Sequence, residues 1–166
     1  WHFGFNAAGL AAVTLTWALI ALAFIDIDHQ LLPDVMVLPF LWAGLLLNLA
    51  GVFTPLPQAV IGAAAGYLSL WLVFHLFKFI TGKEGMGYGD FKLFALFGAW
   101  LGWQSLPLII LLSSLIGALI GIGLIAFRGH DRAKPLPFGP YLAAAGWVAM
   151  LWGDEIMRQY LQMARL

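Results

Sequence analysis

The chain has 166 residues, of which 63% are hydrophobic and 10% are charged, and eight Lys and Arg residues balance eight Asp and Glu residues. A soluble domain carries about 25% charged residues, so this composition excludes a soluble enzyme and a disordered chain. The balanced charge, without a basic stripe, argues against nucleic-acid binding. The absence of cysteine excludes disulfides, thiolate metal sites and a cysteine nucleophile.

Six apolar stretches predict an all-α, polytopic membrane protein with about six transmembrane helices. A bilayer core about 30 Å thick needs roughly 20 apolar residues per helix. In chain order, the predicted spans are residues 7–25, 35–53, 59–80, 91–103, 106–127 and 141–152. The fourth is shorter than usual, and residues 153–166 are predicted to form an interfacial amphipathic end.

The Lys and Arg residues predict how the bundle is oriented, because they are enriched on the cytoplasmic side of membrane helices. With six spans, the loops after the first, third and fifth share one side. These loops and their flanks hold six of the eight basic residues, namely Lys78, Lys83, Lys92, Arg128, Arg132 and Lys134. The other side holds only Arg158 and Arg165. The distribution therefore places the polar loops in the cytoplasm and both termini outside.

Two acids stand at the cytoplasmic ends of predicted spans. Asp26 follows nineteen residues without a charge, and Asp90 directly precedes the fourth span. Acids near the hydrocarbon are costly and are candidates for function, although a helix cap or an interfacial charge is the alternative for each. Because both lie at the same membrane face, their side chains can face one another. The sequence leaves open whether they are close before substrate arrives or only after helix movement.

The residues before Asp90 alternate with glycine, at Gly85, Gly87 and Gly89. Glycine lets another backbone approach closely, so such a loop can bring a peptide onto the carboxylate. The segment does not match a phosphate-binding loop, because no Gly-Lys-Ser/Thr follows.

The chemistry of two such acids is well defined. Two carboxyl groups that share a site hold one proton between them. The ionised group can activate water, and the protonated group can polarise an amide carbonyl and later protonate the leaving amine. This chemistry needs no metal. The sequence leaves open which acid holds the proton, since the pair titrates as a unit.

Three segments carry a resemblance to a known family. Residues 24–34, Phe-Ile-Asp-Ile-Asp-His-Gln-Leu-Leu-Pro-Asp, resemble the first signature of the type IV prepilin peptidases. Residues 84–92 resemble the second, Gly-x-Gly-Asp with its following Lys, and residues 137–140, Pro-Phe-Gly-Pro, resemble a third characteristic stretch. The three segments occur in the family's order, and the similarity covers essentially the whole chain.

This resemblance implies a membrane-embedded aspartic peptidase of the bacterial inner membrane. Such enzymes cleave the prepilins and pseudopilins of type IV pilus and type II secretion systems on the cytoplasmic side, without a cofactor. Asp26 and Asp90 match the catalytic acids, and Gly87 and Gly89 match the motif glycines. Lys92 matches the following Lys, which either favours an ionised Asp90 or serves the cytoplasmic charge bias.

Full-length bacterial members also N-methylate the new N-terminus with S-adenosylmethionine. They carry an upstream cytoplasmic segment, often with paired cysteines that bind zinc. We therefore expect residues 1–166 to form a single membrane-embedded peptidase domain, with such a segment outside this chain. A short, peptidase-only relative is the other explanation. The particular substrate, the oligomeric state and the S-adenosylmethionine site stay open.

Two other classes of protein are compatible with the pattern. A proton or ion transporter would use Asp26 and Asp90 as relay sites, but it would place such acids nearer the bilayer midplane. A non-catalytic membrane subunit of a secretion machine predicts that substituting either Asp leaves pilin processing intact.

Overall fold

The computed structural model describes residues 3–83, 85–128 and 137–163 and contains no strand within them. Its α-helices are α1 (Ala7–His29), α2 (Asp34–Leu49), α3 (Leu56–Thr81), α4 (Tyr88–Leu101), α5 (Leu106–Arg128) and α6 (Gly139–Met163). A 3-10 turn at Trp103–Ser105 separates α4 from α5. The predicted all-α architecture is confirmed. The predicted loop charges Arg132 and Lys134 and the tail charge Arg165 lie outside the described residues.

Within the part of the chain that the structure describes, three helical segments are long and apolar enough to cross a membrane: Ala7–His29, Leu56–Thr81 and Trp103–Gly123. A fourth apolar helix, Asp34–Leu49, is shorter. The outward faces carry large apolar side chains, such as Trp17, which is 70% exposed. Contiguous exposed apolar surface is unfavourable in water but is compatible with lipid. The chain is therefore an all-α membrane protein.

Several helices extend beyond the predicted spans, by four residues at the end of α1 and by eleven at the end of α6. Helix α1 continues past residue 25 to His29, so Asp26 lies inside the helix, and Asp90 is the third residue of α4. Helix α6 continues to Met163, so most of the predicted interfacial end belongs to the same helix. Hydropathy windows stop at charged residues, whereas backbone hydrogen bonding continues through them.

Helix α4 lies at the centre of the bundle, and nearly every residue from Asp90 to Trp100 is buried. Its closest neighbour is α3, where a Cβ added at Gly62 would collide with the Gly98 carbonyl oxygen. Small residues that let backbones approach are the usual contact between membrane helices. This contact holds α4, and with it Asp90, against α3.

A buried asparagine holds the opposite end of α4. The Asn48 amide nitrogen donates to the carbonyl oxygens of Ala99 (2.9 Å) and Trp100 (3.0 Å). Its side-chain oxygen accepts from the N–H groups of Phe53 (3.0 Å) and Thr54 (3.1 Å). Every side-chain donor and acceptor of Asn48 is used in this way, as burial requires. The contacts join α2, the turn after it and α4.

Candidate active site

Asp26 and Asp90 line the same cavity at one end of the bundle. Each is 6% exposed, and both line a cavity of about 550 Å³. The other walls are the loop between α1 and α2 and the first residues of α4, including Gly87, Gly89 and Lys92. The charge of Asp26 acts electrostatically on Asp90. The structure therefore brings together the two acids that the sequence singled out.

Asp90 is held by the start of its own helix. Its Oδ2 accepts from the Gly87 N–H at 3.2 Å, and its own N–H donates to the Gly87 carbonyl at 3.3 Å. This reciprocal pair satisfies a donor at the helix N-terminus that has no partner within the helix. The carboxyl group is thus a helix cap and also part of the cavity wall. A capping role and a functional role for Asp90 are therefore compatible.

Asp26 is held by a distant helix. Its Oδ2 accepts from the N–H of Gly139, the first residue of α6, at 3.0 Å. A Cβ added at Gly139 would lie 2.6 Å from that same oxygen. The contact comes from the Pro-Phe-Gly-Pro stretch, for which sequence reasoning had assigned no structural role.

The two motif glycines have different surroundings. A Cβ added at Gly89 would lie 2.7 Å from the Cβ of Leu32, whereas one added at Gly87 would come no closer than 3.7 Å to any neighbour. Leu32 is buried, and its Cδ1 would also lie 3.3 Å from a Cβ at Gly139. Leu32 therefore packs between the starts of α4 and α6. Sequence reasoning missed this residue, although it lies within the first signature.

Gln30 turns the chain sharply at the end of α1. It has φ 52° and ψ 41°, and it is the one non-glycine residue with positive φ in the described part of the chain. This left-handed conformation costs an L-residue roughly 1–2 kcal/mol. Its N–H donates to the Asp26 carbonyl at 2.9 Å. The turn begins the loop that places Leu32 against Gly89. Because position 30 is Gln and not Gly, nothing in the sequence indicated a left-handed residue there.

Lys92 pairs with Asp34. Its Nζ lies 2.6 Å and 2.7 Å from the two carboxylate oxygens of Asp34, at the start of α2. The Lys92 side chain is 27% exposed and that of Asp34 is 54% exposed. Lys92 lines the cavity, but its ammonium group binds Asp34 and ties α4 to α2.

We expect Lys92→Met and Asp34→Asn to lower activity by the same modest factor, below about tenfold. A partly exposed ion pair contributes roughly 0.2–1 kcal/mol, and each substitution removes the same pair. The cleavage rate of the two single variants and the double variant gives a mutant cycle, in which the double variant should be no worse than either single one. A much larger loss for Lys92→Met alone would indicate that Lys92 acts on Asp90 instead.

Two other polar residues of α1 do not line the cavity. Asp28 and His29 are exposed at the end of α1. Within the described residues, no group of three or more His, Cys, Asp or Glu side chains is placed to hold a metal ion.

Comparison with known proteins decides the family. Residues 13–122 match the type IV leader peptidase family. The chain belongs to this family. The match contains both acids and the motif glycines, and it confirms the resemblance drawn from the three signatures.

Curated relatives extend the similarity over the whole chain. The prepilin leader peptidase/N-methyltransferase of Pseudomonas aeruginosa is 62% identical over 164 residues, which cover 99% of this chain and 57% of that protein. The protein of the same name from Aeromonas salmonicida is 66% identical over 152 residues, covering 92% and 52%. That of Stutzerimonas stutzeri is 59% identical over 166 residues, covering 100% and 57%. The chain thus spans a little over half the length of these relatives. No solved structure matches it significantly.

The relatives' name implies S-adenosylmethionine, whose adenosyl and amino-acid groups need polar partners. The cavity of about 810 Å³ along α1 and α6 is lined mainly by apolar side chains, including Leu10, Val13 and Trp17. The cavity that contains Asp26 and Asp90 is more polar, but these acids form its walls. Acidic walls can also accept hydrogen bonds from the hydroxyl and ammonium groups of that cofactor, so the two cavities assign no site to it. We place methyl transfer on none of the described residues.

Proposed function

We propose that this chain is the membrane-embedded part of an aspartic endopeptidase that removes the leader peptides of type IV prepilins and pseudopilins. One observation carries the proposal. Two buried carboxyl groups, from helices far apart in sequence, line one cavity at the end of the bundle. The family and the names of the relatives support the substrate class.

The carboxyl contacts support a shared acid–base role. In each acid, Oδ2 accepts a main-chain N–H, while Oδ1 accepts no hydrogen bond from the described residues. The ionised acid takes a proton from water as the water oxygen attacks the scissile carbonyl carbon. The protonated acid donates to the carbonyl oxygen, which gives a tetrahedral gem-diol. One acid then delivers a proton to the leaving amine as the C–N bond breaks, and the other takes the proton of one hydroxyl group as the C=O bond re-forms. Each cycle consumes one water and returns the pair to a single shared proton.

The segment before α4, of which Gly87 lines the cavity, suits an extended peptide. Gly85 and Gly87 are exposed, while Met86 between them packs against the core. Gly87 has extended backbone angles, φ −81° and ψ 151°. Exposed glycines let a substrate backbone approach closely, although the Gly87 N–H and carbonyl are already hydrogen-bonded to Asp90. We infer that the scissile peptide lies along residues 85–87, next to Asp90.

The charges near the site support a cytoplasmic orientation. Lys83 lies just after α3, and Lys92 is in α4 at the end that carries both acids. Basic residues favour the cytoplasmic side. We therefore place the protein in the bacterial inner membrane as a multi-pass protein, with the site facing the cytoplasm.

The cysteine-free chain allows a direct test of this orientation. We expect Lys83→Cys to react with a membrane-impermeant maleimide in inverted vesicles but not in spheroplasts. Ala50→Cys, exposed in the turn at the opposite end, should react in the reverse pattern. Any native cysteines elsewhere in the polypeptide are first replaced. The opposite labelling pattern would overturn the cytoplasmic placement.

Methylation of the new N-terminus is proposed for the whole protein, because the relatives are named for both activities. The upstream cytoplasmic segment, with or without zinc, stays a prediction. Proteolysis itself is proposed to need no cofactor.

The deciding experiment is cleavage of a purified prepilin by the detergent-solubilised protein, expressed with any sequence that its gene encodes before Trp1. Mass spectrometry should find one cut, ahead of the hydrophobic helix of the substrate. The runner-up, a proton or ion transporter, instead predicts ion flux into liposomes and no cleavage. The location of both acids at one end of the bundle favours the peptidase.

A further inference from the structure

Among the first four residues of α6, one main-chain N–H has no partner within the helix. The first N–H groups of a helix have no partner within the helix. Among the first four residues of α6, Pro140 has no N–H, and two N–H groups donate to the Phe138 carbonyl at 3.1 Å, those of Tyr141 and Leu142. The N–H of Gly139 is left, and it points out of the helix.

This donor is taken by Asp26. The Gly139 nitrogen lies 3.0 Å from Asp26 Oδ2, a contact that joins residues 113 positions apart in the chain. The N-terminus of a helix carries partial positive charge, so it is a favourable place for a carboxylate. Hydrogen bonds from main-chain N–H groups to carboxylates are also shorter and stronger than neutral ones.

The contact leaves no room for a side chain at position 139. An added Cβ would lie 2.6 Å from Asp26 Oδ2, 3.0 Å from its Cγ and 3.3 Å from Leu32 Cδ1. Asp26 Oδ2 is the far end of a flexible side chain that borders the cavity, so the carboxyl group, and not the backbone, would give way. A methyl group here would therefore displace the carboxyl group from its present position.

We propose that Gly139 is a positioning residue for proteolysis. Its N–H fixes one oxygen of Asp26 and leaves the other for water or the scissile peptide, and the missing side chain lets the carboxyl group sit against the helix start. Pro140 contributes by offering no competing N–H. The Pro-Phe-Gly-Pro stretch thereby has a role in the site. This positioning role rests on the proposed peptidase function.

A positioning role and a packing role predict different kinetics. If Gly139 only lets two helices pack, its substitution lowers the amount of folded protein. The surviving molecules would then cleave at the normal rate. If Gly139 positions Asp26, folded protein binds substrate normally but turns it over slowly, because a displacement of about 1 Å at a reacting group can cost about 100-fold in rate.

The test measures kcat and KM for prepilin cleavage in the protein expressed with any sequence that its gene encodes beyond this chain. Gly139→Ala should lower kcat about 100-fold, with KM within about twofold of wild type. Gly153→Ala is the matched control on α6, because its Cβ would meet nothing closer than 3.9 Å. It should leave both constants unchanged.

A second variant covers the case in which Gly139→Ala does not fold. Semisynthesis can replace Gly139 with glycolic acid, which exchanges its N–H for an ester oxygen and adds no side chain. We expect kcat to fall at least tenfold with KM unchanged, because Asp26 then loses its donor. A kcat within threefold of wild type in this variant overturns the proposal.

The same assay separates this proposal from the function on which it rests. If wild type cleaves, Asp26→Asn does not, and the position-139 variants keep their kcat, only the role of Gly139 is overturned. If wild type does not cleave, or if Asp26→Asn does, the peptidase assignment and the positioning role are both overturned.

Discussion

Asn in place of either Asp26 or Asp90 is expected to abolish prepilin cleavage, with a loss of about 10⁴-fold, while the protein still inserts into the membrane. General acid–base catalysis contributes about 10²–10⁴-fold, and neither half of a shared acid–base pair works alone. The asparagine side-chain oxygen can still accept the N–H of Gly139 or Gly87. The surrounding structure should therefore persist, and the loss of cleavage rate should measure the chemical contribution of the substituted carboxyl group.

The matched control is Asp28→Asn. Asp28 lies on α1 two residues from Asp26, but it is exposed and outside the wall of the cavity. This variant should cleave at the wild-type rate. The double variant Asp26→Asn/Asp90→Asn should be no worse than either single one, because residues that act as a unit are not additive.

Initial rates of cleavage of a purified prepilin, normalised to folded protein, measure these effects. More than about 1% of the wild-type rate in either single variant would contradict the assignment of both acids as general acid–base groups. Full processing in both variants would support a non-catalytic membrane subunit instead.

Gly89→Ala is expected to lower activity by about 100-fold or more, and Gly89→Val should do so more strongly. The added Cβ would lie 2.7 Å from the Cβ of buried Leu32. A Cβ cannot rotate away, so the backbone of α4 or of the loop after α1 must shift. Either shift moves a cavity wall beside Asp90, and a displacement of about 1 Å near the reacting groups can cost about 100-fold.

Gly87→Ala provides the comparison within the same motif. Its Cβ would meet nothing closer than 3.7 Å, its φ of −81° suits any residue, and its N–H to Asp90 is kept. We expect a smaller loss, below about tenfold. Equal losses at both glycines would indicate that backbone freedom, and not space beside Leu32, explains the motif. Cleavage kinetics together with thermal unfolding of both variants make this comparison.

The class of protein, its helices and its two acids could be predicted from residues alone. A chain with 10% charged residues has too little polar surface for water, and apolar runs near bilayer length form helices in any membrane fold. Charge content and hydropathy are sums over neighbouring residues, so they can be calculated without knowledge of the fold. The acids stood out for the same reason, since each interrupts or borders a long apolar run.

The partners of those acids depended on packing. Gly139 contacts Asp26 although the two residues are 113 positions apart in the chain, and no local sequence pattern predicts such a contact. Lys92 follows Asp90 by two residues, and the sequence left open whether it favours an ionised Asp90 or serves the cytoplasmic charge bias. Because α4 begins at Tyr88, both residues lie on one helix, where positions i and i+2 do not face each other. Lys92 therefore turns to Asp34. The sequence determined which side chains enter the membrane, whereas helix packing decided which of them touch.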